Sequence, residues 1–133
     1  RAAELGLPLM SFAEALGQMM APHEHRIAIA GTNGKSTTAA LAGLLMADAN
    51  LDPSVFVGSR VPAWDSNLRL GAGRSFVAEA DEYRNHFHQL KPTSLTITNV
   101  ELDHTDFFPD LKAIVASFQT VIDQLDAMRM GMN

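Results

Sequence analysis

One stretch restricts the possible fold more than any other. Residues 26–47 begin Arg-Ile-Ala-Ile-Ala, break at Gly31 and turn through Thr32, Asn33 and Gly34. They then continue as Lys35-Ser36-Thr37-Thr38 into an Ala- and Leu-rich run. The apolar segment is long enough for one buried strand, and the run after Thr38 favours helix. Strand, glycine-containing turn, Lys-Ser and helix, in that order, form the pattern of a phosphate-binding loop. Gly34 lets backbone N–H groups approach phosphate oxygens with no side chain between, and the helix start adds unpaired N–H groups and partial positive charge. In this reading Lys35 reaches the terminal phosphates and the Ser36 hydroxyl sits on a magnesium ion. The common form of the loop carries a glycine five residues before Gly34, where this chain has Ile29. The shorter Gly-Thr-Asn-Gly-Lys-Ser is either a chance match or a family variant, and the flanking strand and helix argue against chance.

Local features must hold such an anion, because the formal net charge of the chain is −5. With no long basic run, nucleic acid is not an expected partner. The 133 residues suffice for one domain with a core. Absence of cysteine excludes disulfide scaffolds and thiolate metal sites, and fits a reducing compartment. No apolar run is long enough to span a membrane and no signal-peptide pattern opens the chain. The first residue is Arg1, and the chain stops soon after a helical pattern. It therefore reads as a piece of a longer protein.

Before the loop, Ser11 and Glu14 make a capping-box pattern that opens a helix to about Met20, with Phe12, Leu16, Met19 and Met20 on one face. Pro22 ends it, and His23-Glu24-His25 link into the first strand. The helix after the loop is expected to run to about Ala49 with Leu41, Leu44 and Leu45 inward and Asn50 as its stop. Residues 51–57 predict a second strand closed by Gly58, and residues 59–74 a loop or edge hairpin in which Trp64 and Arg69 are packing or substrate contacts. Phe76-Val77-Ala78 predicts a third, buried strand, and residues 83–90 a short helix stopped before Pro92. Residues 94–100 predict a fourth strand. Asp110 opens a last helix whose inward stripe is Leu111, Ile114, Val115, Phe118, Val121, Ile122 and Leu125. Residues 128–133 read as a frayed tail. Strands alternating with helices predict an α/β fold of the P-loop type: a mostly parallel sheet with helices on both faces.

In such sheets ligands bind beyond the carboxyl ends of the strands. Three strands end in reactive residues: the first in the phosphate loop, the third in Glu79-Ala80-Asp81-Glu82, the fourth in Asn99 through His104. Magnesium at a nucleotide takes oxygen ligands, few of them from protein, and Ser36 with Glu79 meets that need. His104 could hold a second ion, orient a phosphate, or serve as acid or base. The i, i+2 pairs His23/His25 and His86/His88 fit no zinc pattern.

Taken together, Gly31-Thr32-Asn33-Gly34-Lys35-Ser36-Thr37, then Glu79-Ala80-Asp81-Glu82, then Thr98-Asn99-Val100-Glu101-Leu102-Asp103-His104 resemble the central, ATP-binding domain of the Mur ligases. The stretch from Glu79 through Phe87 and Asp103-His104-x-Asp106-x-Phe108 are most similar to the alanine-adding branch and to murein-peptide ligase. The resemblance implies a cytoplasmic enzyme of peptidoglycan-precursor synthesis that uses ATP and Mg²⁺. Its substrates would be UDP-N-acetylmuramate and L-alanine, joined through an acyl phosphate. It further implies that Gly31, Thr32, Asn33, Gly34, Lys35, Ser36 and Thr37 bind ATP phosphates, with Asn99 supporting nucleotide or substrate. Lys35, Glu79 and His104 would be catalytic, and Ser36, Glu79 and His104 would hold magnesium. Residues 1–21 would be the tail of a preceding UDP-sugar domain or a lead-in helix, and 22–133 the N-terminal part of the central domain. The partners would include the missing N- and C-terminal domains, without which little turnover is expected. Other amide-forming relatives, a nucleotide-binding switch module and a small-molecule kinase remain open, since the phosphate loop serves all of them.

Overall fold

The structure, a computed structural model, describes Arg1 and residues 4–131. Its elements in chain order are α1 (Phe12–Met20), β1 (His25–Ala30), α2 (Lys35–Asp48), β2 (Ser54–Val61), β3 (Ser66–Arg69), β4 (Ser75–Glu79), β5 (Ser94–Ile97) and α3 (Leu111–Arg129), with short 3₁₀ segments at Pro62–Trp64 and Tyr83–Gln89. The strands form one sheet in the order β3-β2-β4-β1-β5. β1, β2, β4 and β5 run parallel, and only the edge pair β2/β3 is antiparallel. The expected α/β class is what the chain adopts. Among the described residues no helix is long and apolar enough to cross a membrane.

Strand alternation divides the core into two layers. On one face Ala28, Ala30, Phe76 and Ala78 pack with Leu16 and Met20 of α1, Phe87, and Ile114, Phe118 and Val121 of α3. On the other face Ile29, Val55, Val57 and Val77 pack with Ala39 of α2. Both layers fill the centre of the sheet, where β4 and β1 lie between two neighbours each.

Several helix faces differ from the periodicity reading. In α2 the inward residues are Ala39 and Gly43, whereas Leu41 and Leu45 are exposed and Leu44 is only half-buried. Proximity is the cause: a Cβ on Gly43 would lie 2.7 Å from Val55 Cγ2, so only small residues fit between this helix and β2. In α1 the buried residues are Ala13, Leu16 and Met20, while Phe12 and Met19 face outward. In α3 Leu111 and Val115 are exposed and Ser117 is buried. β2 does not stop at Gly58 but continues to Val61, with an irregularity between Phe56 and Val61 where it turns to pair with β3. The edge hairpin thus forms. Trp64 packs against the α2-side core, and Arg69 is tied to Asp52 and to the Pro53 carbonyl. The Ala72 N–H, and secondarily the Arg69 guanidinium, hold the Asp52 carboxyl below its ordinary pKa. The segment after β4 is a 3₁₀ run broken by left-handed Arg84 and Asn85 rather than one helix. β5 ends at Ile97; the Thr98 N–H still donates to the Ala30 carbonyl at 3.0 Å, and beyond it the chain meets the phosphate loop, where the Thr32 N–H donates to the Asn99 carbonyl at 3.0 Å. The last helix runs on to Arg129, past the expected start of the frayed tail; Met132 and Asn133 lie outside the described residues.

Candidate phosphate site

Each helix start shows what its local sequence can satisfy. Four N–H groups at a helix start lack an intrahelical acceptor. At α1 the Ser11 hydroxyl accepts from the Glu14 N–H at 3.2 Å, and the Glu14 carboxylate accepts from the Ser11 N–H at 2.6 Å. At α3 the Asp110 carboxylate accepts from the Ala113 N–H at 2.9 Å. At α2 the cap is Gly34, with φ 81°, and no side chain caps it. The N–H groups that open α2 therefore face an exterior hollow of about 250 Å³ lined by Thr32, Asn33, Gly34, Lys35, Ser36, Thr37 and Glu79.

The loop before this helix is held from the β5 side. The Asn99 carboxamide makes two bonds to Asn33, its Oδ1 accepting from the Asn33 N–H and its Nδ2 donating to the Asn33 carbonyl, both at 3.0 Å. Thr98 Oγ1 donates to the Asn33 carbonyl at 2.6 Å. Thr32 Oγ1 accepts from the Glu101 N–H at 2.8 Å. Asn99 is thereby occupied in shaping the loop, and Thr98, to which the sequence reading attached no role, does the same work.

On the α2 side of the sheet Ser36 Oγ donates to Glu79 Oε1 at 3.0 Å, and Glu79 Oε2 accepts from the Gly58 N–H at 2.6 Å. This places a hydroxyl and a carboxylate at one point beside the helix start. Lys35 turns toward the loop interior. Its Nζ donates to the carbonyls of Gly31 at 2.6 Å and Thr32 at 3.1 Å, and to Glu82 Oε1 at 3.1 Å. Glu82 is fully buried (0% exposed) and its Oε2 lies 3.0 Å from the same ammonium without a hydrogen bond of its own. His104 approaches from the β5 side, its Nε2 3.7 Å from Glu82 Oε1 and its ring tilted against Tyr83 at 4.9 Å. The direct neighbour of Ser36 is thus Glu79, and that of His104 is Glu82. Among the described residues no three His, Asp or Glu side chains converge as a metal cluster.

Lys35, Glu79 and His104 do share a second cavity, of about 480 Å³, whose other wall is apolar and includes Phe12, Leu16, Phe56 and Phe87. It adjoins the phosphate hollow through Lys35 and Glu79. Sequence reasoning passed over Glu82 as one acid in a run of acids. The run alone carries no sign of which member the fold will bury.

Parallel strands carrying an uncapped glycine-turn helix at their carboxyl edge define a phosphate-loop α/β domain. The family description "Mur ligase middle domain" matches residues 29–130, and the chain belongs to that family. It is 42% identical over 125 residues to the UDP-N-acetylmuramate–L-alanine ligase of Desulfitobacterium hafniense (strain Y51), covering 94% of this chain and 28% of that protein. The enzyme of the same name from Microcystis aeruginosa is 41% identical over 123 residues, or 92% and 26%. The chain thus spans little more than a quarter of the length of these relatives. Among solved structures, the UDP-N-acetylmuramate-alanine ligase from Thermotoga maritima superposes with a TM-score of 0.81 at 25% identity, over 93% of this chain and 29% of that one. The UDP-N-acetylmuramate:L-alanyl-gamma-D-glutamyl-meso-diaminopimelate ligase from Neisseria meningitides gives 0.80 at 30% identity, over 93% and 43%.

Proposed function

We propose that this chain is the ATP-binding part of a cytoplasmic ligase of peptidoglycan-precursor synthesis, one that joins L-alanine to UDP-N-acetylmuramate. The observation that carries the reading is the uncapped start of α2, with Lys35 inside the loop and the Ser36–Glu79 pair beside it. Relatives bearing that ligase name, at about 42% identity, support the substrate assignment. The sugar's carboxylate oxygen attacks the γ-phosphorus of ATP and ADP leaves, forming an acyl phosphate. The alanine amine then attacks the acyl carbon, phosphate leaves, and the amine gives up a proton to yield the amide.

In this assignment the N–H groups of Gly34 through Thr37 bind phosphate oxygens, and Lys35 offsets charge in a transfer that depends chiefly on positioning and cations. Ser36 Oγ and Glu79 Oε1, 3.0 Å apart, are hard oxygen donors close enough to serve one magnesium ion. That ion, when bound, supplies charge neutralisation at the phosphates. His104 stands across the shared cavity, where it orients a phosphate or holds a second ion, and Asn99 acts through the loop conformation. In this proposal residues 22–133 form the N-terminal part of the ATP-binding domain, and 1–21 the tail of a preceding UDP-sugar domain or a lead-in helix. The relatives' greater length supports a division of the whole site with further domains, and the chain by itself turns over little.

The test is ATP consumption by the intact enzyme with UDP-N-acetylmuramate and single amino acids, with the tripeptide L-alanyl-γ-D-glutamyl-meso-diaminopimelate as a further arm. L-Alanine-dependent ADP release is expected. Stimulation only by the tripeptide would move the assignment to the peptide-adding branch, and no stimulation by any muramoyl substrate would sink it.

A further inference from the structure

We infer that Glu82 is a built-in competitor for the phosphate-loop lysine, a positioning residue that sets how tightly the site holds a polyphosphate. The inference rests on the nucleotide-binding reading above and goes on to how that site is tuned. An ammonium has three N–H donors. In this structure all three of Lys35 are used, by the Gly31 carbonyl, the Thr32 carbonyl and Glu82. None is left for a ligand. The Lys35 charge is also already matched by the buried carboxylate beside it, whose other ionisable neighbour among the described residues is His104, with Nε2 3.7 Å from Oε1. A phosphate that claims Lys35 must therefore take donors from these three acceptors. It must do so against a charge-assisted bond made where water cannot replace it.

The two carbonyls belong to the loop and are present in any protein with this turn. Glu82 is different, because it reaches the lysine from the far side of β4, across 47 residues of sequence. Its position is enforced. The peptide carbonyl of Glu82 accepts from the Asn85 N–H at 3.0 Å, and the flanking Ala80, Phe87 and Leu90 are buried in the core. The carboxylate itself is 0% exposed. Its other neighbour is His104, whose Nε2 lies 3.7 Å from Glu82 Oε1. The consequence is a site whose affinity for the terminal phosphates is held down by an internal anion.

The test is calorimetric titration of the intact enzyme with ADP, a non-hydrolysable ATP analogue and AMP, comparing wild type with Glu82→Gln, which keeps the shape and removes the charge. Thermal melts confirm that the variant is folded, and Glu82→Asp, which keeps the charge but withdraws it from Nζ, is a second probe. Removing one charge-assisted contact to the competitor should tighten ADP and the ATP analogue by about tenfold. AMP has no phosphate within reach of Lys35, so its affinity should not change. Glu82→Asp should fall between. Unchanged or weaker ADP binding in a folded Glu82→Gln protein overturns the inference, as does equal tightening of all three ligands. If neither the wild type nor Glu82→Gln binds nucleotide, the functional reading falls and the inference with it; a wild type that binds, beside a Glu82→Gln protein that binds no more tightly, overturns the inference alone.

Discussion

The two faces of the sheet are built in opposite ways. On one, α3 and α1 bring large side chains, Phe118, Ile114, Leu16 and Met20, into a thick apolar layer, and each helix begins with a side chain that caps it. On the other, α2 sits on β2 through Ala39 and Gly43 and begins at a glycine with no cap, while Leu41 and Leu45 face outward. The first arrangement satisfies its own backbone. The second leaves donors open and brings them close to the strand end that carries Glu79. The lesson is that a helix packed by its smallest residues can lie close on the sheet, and that an uncapped start leaves its backbone donors facing the exterior.

The largest effect should come from the open end. Lys35→Ala in the intact enzyme should lower ATP turnover by about a thousandfold, the scale of removing a cation from phosphoryl transfer, in a protein that still folds but melts lower because buried Glu82 loses its partner. Unchanged turnover would remove Lys35 from the mechanism. Next comes the close approach of α2. Gly43→Ala adds a methyl that meets both Val55 methyls, so overpacking should outweigh the helix propensity gain and cost roughly 1–2 kcal/mol in denaturant unfolding. A stabilised variant would show that α2 can back away from the sheet. The smallest effect belongs to a capped start: Ser11→Ala should cost about 1 kcal/mol and leave nucleotide affinity alone. The Ser11 N–H, and secondarily its hydroxyl, hold the Glu14 carboxyl below its ordinary pKa. The benefit of that pairing is present above the unfolded carboxyl's pKa and is lost as pH falls through the depressed one, so α1 should loosen on acidification.

Much of this contrast was legible in the chain. Ser11 with Glu14 and Asp110 before the last apolar stripe announce capped starts, and Gly34-Lys35-Ser36 announces an open one. The ends of the first, third and fourth predicted strands do meet on one edge, because the strands are parallel. What stayed hidden depends on distances between elements. Periodicity put Leu41, Leu44 and Leu45 inward, since it ranks residues by hydrophobicity, whereas the gap above Val55 selects by size. Gly58 read as a strand end, but its N–H is used to hold Glu79. Glu82 and Asn99 owe their places to partners 47 and 66 residues away, and no local pattern carries such pairings.

The central claim, that the open start of α2 is the phosphate site while the other two helix starts are structural, can be tested residue by residue. Magnesium ADP titrated into the ¹⁵N-labelled protein should shift the amide resonances of Gly34, Lys35, Ser36 and Thr37, and leave those of Ala13, Glu14, Lys112 and Ala113 in place. Shifts at the capped starts, or none at residues 34–37 under saturating ligand, would contradict the account.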